Sequence, residues 1–422
     1  MKEYKYWKKI GVEIQKELIS KALAKNINYS QSPVLGLPGT KLDGRVFYEQ
    51  AEFLKEAPFL QTIVQNPNHI GCHTVGESEP FFQGTQDIEK DVIQILSKDI
   101  LQSQEDCDGY VTSGGTEANI QACWMYRNFF INTFNASCNE IFLIASQDTH
   151  YSVNKAANLL NIDLVIVPVD FDTREILPDQ LDKHVYEAVK NGKKYAIVIS
   201  NAGTTMFGSV DNPDDYASVF IKYDLNFKLH IDAAFGGFIY PIVNQNHNIG
   251  FNNKHVSSVT MDAHKMLQAP YGTGIFITRK GLIDNVFTKE AKYVNGMDTT
   301  LSGSRSGANA VAIWMILQTY GPHQWLEKMK ILNYRTEVCC QELEKLGIGF
   351  YRDSHMNIIT IKSADLPKEL AVKFGLIPDS HDEDNNWYKI VVMDHVQQEA
   401  LNDFISELKE FRSRERKVSL EN

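Results

Sequence analysis

The sequence predicts an α/β fold, with a mainly parallel sheet covered by helices on both faces and a smaller α+β unit after it. Three observations carry this. Between about residues 110 and 280, short apolar runs alternate with helical stretches. The runs are nearly continuous in Val, Ile and Leu, as strands buried on both faces must be. After Ser302 the pattern changes to one long helical segment and then to alternating strand-like and helical pieces.

The elements follow in order. Trp7, Ile10, Ile14 and Leu18 recur at three- and four-residue steps, which predicts an amphipathic helix with those residues on its buried face. The stretch 32–45, with its Pro and Gly residues, reads as loop. From Thr85, the positions Ile88, Val92, Ile95 and Leu96 mark one face of a second helix. Strands are expected at Ile-Phe-Leu-Ile-Ala (141–145), Leu-Val-Ile-Val-Pro-Val (164–169), Ala-Ile-Val-Ile-Ser (196–200), Lys-Leu-His-Ile-Asp (228–232), Ser-Val-Thr-Met-Asp (258–262) and Gly-Ile-Phe-Ile-Thr (274–278). Asn-Ile-Ile-Thr-Ile (357–361) and Lys-Ile-Val-Val-Met (389–393) supply strands of the last part. The expected organisation is an N-terminal helical segment over 1–60, a large domain over 61–300 and a small C-terminal domain over 301–422.

Composition narrows the function. A formal net charge of -11 argues against general binding to nucleic acid or anionic membrane, which attract basic patches. The N-terminus lacks the apolar core of a secretion signal, and no stretch approaches the roughly 18 uninterrupted apolar residues of a membrane span. A cytoplasmic protein acting on a small molecule is expected. The six cysteines show no metal-finger spacing, so free thiols and no metal site are the expectation.

Ligands of parallel sheets sit beyond the carboxyl ends of the strands, and unusual residues collect there. Lys265 follows His264 directly after the 258–262 run. Thr-Ser-Gly-Gly-Thr-Glu-Ala-Asn (112–119) opens a helix, where the backbone N–H groups near Gly115 and the Thr116 hydroxyl could face a phosphate. In His-Ile-Asp-Ala-Ala-Phe-Gly-Gly (230–237), Asp232 ends a strand and needs a cationic partner, which a protonated pyridine nitrogen would be. The small Ala234 leaves room for a flat ring, and His150, in Ser-Gln-Asp-Thr-His-Tyr-Ser (146–152), could stack on the ring's other face. A phosphate cradle, an acid for a ring nitrogen, an imidazole for a ring face and a lysine for an aldehyde are what pyridoxal 5′-phosphate requires.

These pieces, with Asn-Ala-Gly-Thr-Thr-x-x-Gly (201–208), Asp-Ala-His-Lys-Met (262–266) and Leu-Ser-Gly-Ser-Arg-Ser-Gly (301–307), resemble the pyridoxal-phosphate-dependent group II amino acid decarboxylases in order and over about 200 residues. Asp-Thr-His-Tyr-Ser-Val is most similar to bacterial histidine decarboxylases, and Asp-Ala-Ala-Phe-Gly-Gly-Phe to archaeal tyrosine or aspartate decarboxylases. The resemblance implies an aspartate-aminotransferase-like large domain (fold type I) and α-decarboxylation of an L-amino acid to its amine and CO2. It implies that Lys265 holds the cofactor covalently and that His264 touches the phosphate with Gly115 and Thr116. Asn201 would stand where the family has a threonine near the ring hydroxyl. Ser304 would reach the phosphate of a neighbouring subunit, making a homodimer with shared sites. Tyr293, in a loop segment, would return a proton to the substrate carbon, and His73 would approach the substrate.

Two departures bear on substrate. Lys389 stands where tyrosine-, dopa- and glutamate-type relatives carry a carboxylate-binding arginine, and lysine cannot grip bidentately. No arginine stands out near the expected pocket for a second carboxylate, so aromatic or imidazole side chains rank ahead of aspartate or glutamate. Asp262, beside the expected phosphate, should turn its carboxylate toward backbone N–H groups. The alternatives are a pyridoxal-phosphate carbon-carbon lyase acting on a phosphorylated amino alcohol, and a cofactor-free binding protein.

Overall fold

The computed structural model describes residues 3–27, 35–36, 42–48, 51–65, 81, 83–289, 297–381 and 385–421. His73 and Tyr293 lie outside the described residues. The helices are α1 (Val12–Leu23), α2 (Gly44–Phe47), α3 (Pro58–Gln65), α4 (Gln83–Gln94), α5 (Gly115–Phe134), α6 (Ser152–Leu160), α7 (Pro178–Lys190), α8 (Pro213–Lys222), α9 (Tyr240–Val243), α10 (Gly307–Leu346), α11 (Lys368–Lys373) and α12 (Gln398–Glu421).

Seven strands make the large sheet: β1 (Cys107–Thr112), β2 (Ile141–Ser146), β3 (Asp163–Val167), β4 (Tyr195–Asn201), β5 (Asn226–Ala233), β6 (Val256–Asp262) and β7 (Gly274–Arg279). Their order is β1-β7-β6-β5-β4-β2-β3, and β7 alone runs antiparallel to its neighbours. All six runs expected between 141 and 278 are strands. β1 was not expected, because Cys-Asp-Gly-Tyr-Val-Thr has no long apolar run. Its Gly109 is needed for close approach, since a Cβ there would lie 2.4 Å from the Phe276 carbonyl oxygen of β7.

Period-two alternation divides the sheet between two cores. Leu143, Ile197 and Phe276 pack with α5 and α6, while Phe142, Ile144, Val198 and Ile231 face the opposite core, which includes α4, α7, α8 and α10. With both faces covered, polar groups can meet a ligand at the strand ends.

The expected face of the first helix is corrected. Trp7 and Ile10 precede α1, whose buried residues are Gln15, Ile19 and Ala22, and Ile14 and Leu18 are 53% and 39% exposed. The cause is a distant anchor. Asp99 accepts the backbone N–H groups of Lys5, Tyr6 and Trp7, and the Trp7 indole donates to the Leu317 carbonyl of α10 at 2.7 Å. These bonds hold residues 5–7 out of the helix and bury Trp7. The second expected helix is α4 together with the π-helical segment that continues it (Ile95–Ile100), and Ile88, Val92, Ile95 and Leu96 are all buried.

Beyond α10, strands β8 (Phe350–Tyr351), β9 (Ile358–Lys362), β10 (Ile377–Pro378) and β11 (Trp387–Val391) form an antiparallel sheet in the order β10-β11-β9-β8. Its core holds Ile359, Ile361, Tyr388, Phe404 and Leu408 with Leu343 of α10. Trp387 packs against Phe171 and Phe207 of the large sheet's loops.

Candidate active site

The carboxyl ends of β4, β5 and β6, the turn after β2 and the start of α5 enclose a cavity of about 310 Å3. Gly115, Thr116, His150, Asn201, Asp232, Ala234, His264 and Lys265 line it together. Segments distant in sequence converge because parallel strands place all their carboxyl ends on one edge. Ser304 is exposed and is not among the lining residues. The adjacent Arg305 is buried in an ion pair with Glu89, which fixes the segment before α10.

Lys265 lies three residues beyond the end of β6, with its side chain 33% exposed, and its Nζ is 3.4 Å from Asp262 Oδ2. His264 Nε2 is 3.5 Å from the same oxygen. The expectation for Asp262 is therefore corrected: its carboxylate faces the two neighbouring side chains, not backbone N–H groups. The neighbouring Lys265 ammonium wins because it offsets the desolvation of a buried carboxylate. Burial pushes the Asp262 carboxyl above its ordinary value, and Lys265 and His264 pull it back.

Asp232 is 7% exposed. Its oxygens accept from the Ala234 N–H at 3.1 Å and from Asn119 Nδ2 at 2.8 Å. His150 Nδ1 meets Ser152 Oγ at 2.9 Å. Burial lowers the His150 pKa, with Asp232 opposing and Lys265 reinforcing, so a neutral imidazole faces the cavity at neutral pH. Asn201 turns its amide hydrogens away, toward Ser146 Oγ at 2.9 Å and Asp211 Oδ2 at 3.0 Å, and its Oδ1 accepts from Thr149 at 3.1 Å. Lys389, on β11, donates to the carbonyl of Thr205, a lining residue, at 2.9 Å. Burial lowers its pKa and the field of Lys265 adds to this.

This donor set fits pyridoxal 5′-phosphate. The cavity wall holds two buried polar atoms without a hydrogen-bond partner, Asp262 Oδ1 and His264 Nδ1. The glycine at 115 keeps the entrance to α5 open, since a Cβ there would come within 2.9 Å of Asp262 Oδ2 and 3.1 Å of the Ala234 Cβ. The first N–H groups of that 20-residue helix have no intrahelical acceptors and are available to an anion. Sequence reasoning missed Asn119, Ser152 and Asp211. Asn119 stands four residues after Gly115, a spacing that places both on one helix face, which is the signal that could have found it.

Comparison with known proteins identifies the class that this fold and site define. Residues 77–350 match the family model described as the pyridoxal-dependent decarboxylase conserved domain, and the chain belongs to that family. It is 54% identical over 408 residues to a tryptophan decarboxylase of Clostridium sporogenes, covering 96% of this chain and 98% of that one. It is 30% identical over 300 residues to a histidine decarboxylase of Vibrio campbellii, covering 70% of this chain and 74% of the relative. Among solved structures, L-methionine decarboxylase from Streptomyces sp. 590 superposes with a TM-score of 0.68 at 19% identity over 81% of this chain and 86% of that chain, which shows the shared fold. The protein is a pyridoxal-phosphate-dependent amino acid decarboxylase.

Proposed function

We propose that the substrate is an aromatic L-amino acid, with L-tryptophan the first candidate, and that the enzyme acts as a homodimer. The observation that carries the substrate is the near full-length 54% identity to a tryptophan decarboxylase. The cavity supports it. No arginine is among its described lining residues, so nothing there offers the bidentate grip that a side-chain carboxylate would favour. Phe235 and Tyr151 contribute aromatic surface instead.

Within this reading, Lys265 would hold the cofactor covalently, while His264, Thr116 and the N–H groups at the start of α5 would hold its phosphate. His150 and Ala234 would lie against opposite ring faces, Asp232 would hold a proton on the ring nitrogen, and Asn201 would sit near the ring hydroxyl. Bound there, pyridoxal phosphate supplies an electron sink for the pair left when the carboxyl group departs as CO2. Asp232 would make that sink effective by keeping a proton on the ring nitrogen, its oxygens fixed in place by the hydrogen bonds they accept from Asn119 and Ala234. Neutral His150 adds no positive charge at the ring face. Tyr293, expected to return the proton, lies outside the described residues.

The homodimer rests on surface chemistry. Val12, Ile14, Leu18, Val46, Phe47, Tyr48, Phe53 and Leu60 are 39–67% exposed, all within the N-terminal segment. Large apolar side chains exposed along one segment support an association surface there, with a second copy the occupant consistent with an exposed Ser304 serving a neighbouring site. Release of CO2 from each of the common L-amino acids at equal concentration tests the substrate. L-Tryptophan or another aromatic amino acid should lead, and a preference for aspartate or glutamate would refute the ranking.

A further inference from the structure

Asn119 lies on α5 one turn beyond Gly115, lines the cavity and is 1% exposed. The two hydrogens of its side-chain amide go to two different partners. One reaches Asp232 Oδ2 at 2.8 Å and the other Ser152 Oγ at 2.9 Å. The Ser152 backbone N–H donates to His150 Nδ1 at 3.2 Å, so that nitrogen is an acceptor and its 2.9 Å contact with Ser152 Oγ is a bond donated by the hydroxyl. A single amide thus links the acid expected at the ring nitrogen with the imidazole expected at the ring face.

Rotating that amide by half a turn would aim its oxygen at the Asp232 carboxylate and break both links. His230 opposes the rotation. It is fully buried on β5, two residues before Asp232 and on the same strand face. Its Nδ1 lies 2.6 Å from Ser258 Oγ, which also meets the Tyr126 hydroxyl. Its Nε2 lies 3.0 Å from Asn119 Oδ1 and 3.0 Å from Thr260 Oγ1. Because Asn119 Oδ1 can only accept, the ring hydrogen sits on Nε2, Ser258 donates to Nδ1, and Tyr126 donates to Ser258. Tyr126, Ser258, His230, Asn119 and Asp232 form one chain whose donors all point toward the carboxylate. Burial lowers the His230 pKa to about 4, so this ring carries a single hydrogen at ordinary pH.

We propose that Asn119 is a positioning residue that sets Asp232 and His150 jointly against the cofactor ring, and that His230 fixes the orientation of its amide. The inference rests on the reading of the Lys265 cavity as the cofactor site. Neither residue needs to touch substrate. Their effect passes through the two groups they hold, as with other outer-shell hydrogen bonds that orient reactive groups.

The test compares holoenzymes carrying His230→Leu and His230→Gln. Glutamine can place an N–H where Nε2 stands, and leucine cannot. His230→Leu should lower kcat about 10- to 100-fold with KM changed less than about threefold, and should weaken the visible circular dichroism of the bound cofactor. His230→Gln should recover most of both. A His230→Leu enzyme that melts at lower temperature yet keeps wild-type kcat and visible dichroism would reduce the network to packing and overturn the proposal. If His230→Leu does not fold, Ser152→Ala tests the His150 arm: a weakened dichroism supports the proposal, and an unchanged spectrum with unchanged kcat overturns it. Lys265→Ala separates the two readings, because a visible band that survives in that variant refutes the cofactor site itself.

Discussion

The strand-end cavity and the N-terminal segment are opposite solutions to the same problem of matching polar and apolar groups. At the cavity, Asp232 and Asn119 are buried but partnered: Asp232 takes two hydrogen bonds and Asn119 uses both amide hydrogens and its oxygen. In the N-terminal segment, large apolar side chains from Val12 to Leu60 stand in solvent. Burying an unpaired charge is costly, and exposing a broad apolar surface forfeits about 25 cal/mol for each Å2 left in water. At the cavity the polar groups find partners within the chain, whereas the apolar side chains of the N-terminal segment meet water.

The sharpest way to break this comparison is at the cavity. Asp232→Asn keeps the shape but loses the charge, and kcat should fall roughly 10³-fold while far-ultraviolet circular dichroism is unchanged. A near-wild-type rate would remove the acid from the mechanism. On the other side, Ile14→Glu combined with Leu18→Glu places two charges on the exposed face of α1. If the proposed homodimer forms through this face, sedimentation velocity should report a dimer for the unaltered protein and a monomer for the variant. A dimer of wild-type stability would mean that this face is not the interface.

The smallest expected effect sharpens the account of the network behind the cavity. The His230 pKa falls from 6.5 to about 4 on burial, so between those values the unfolded chain takes up a proton that the folded chain refuses. Stability contributed by neutral His230 is thus present above pH 6.5 and is lost as pH falls toward 4. Asp211 works in the opposite direction. Its carboxyl is raised from 3.8 to about 6 by burial, so the folded chain gains stability as pH falls through that range. His230→Gln removes only the first effect, and its melting temperature should drop less than that of the wild type between pH 6.5 and 4. Parallel melting curves would show that His230 does not titrate on unfolding.

The same contrast explains what the sequence revealed. The strands were legible because burial on both faces leaves a nearly unbroken apolar run, and Lys265, Asp232 and Asn201 were legible because strand ends are readable as places where such runs stop. The hub role of Asn119 was not, since it is defined by His230 of β5 and Ser152 of α6, and neither partner is near it in sequence. The face of α1 was misread for a related reason. Periodicity reports that one helix face is apolar but not what covers it, and the bonds from Asp99 that hold Trp7 outside the helix span more than 90 residues. Asp262 was misread because its partners are the side chains of His264 and Lys265 rather than the backbone.

Chemical trapping shows directly whether the cavity holds pyridoxal phosphate on Lys265. Borohydride reduction of the holoenzyme, followed by proteolysis and peptide mass measurement, should place the pyridoxyl group on the peptide containing Asp262, Ala263, His264 and Lys265, at the lysine. Recovery of the label on another lysine, such as Lys389 across the cavity mouth, or its absence from every peptide, would contradict the site described.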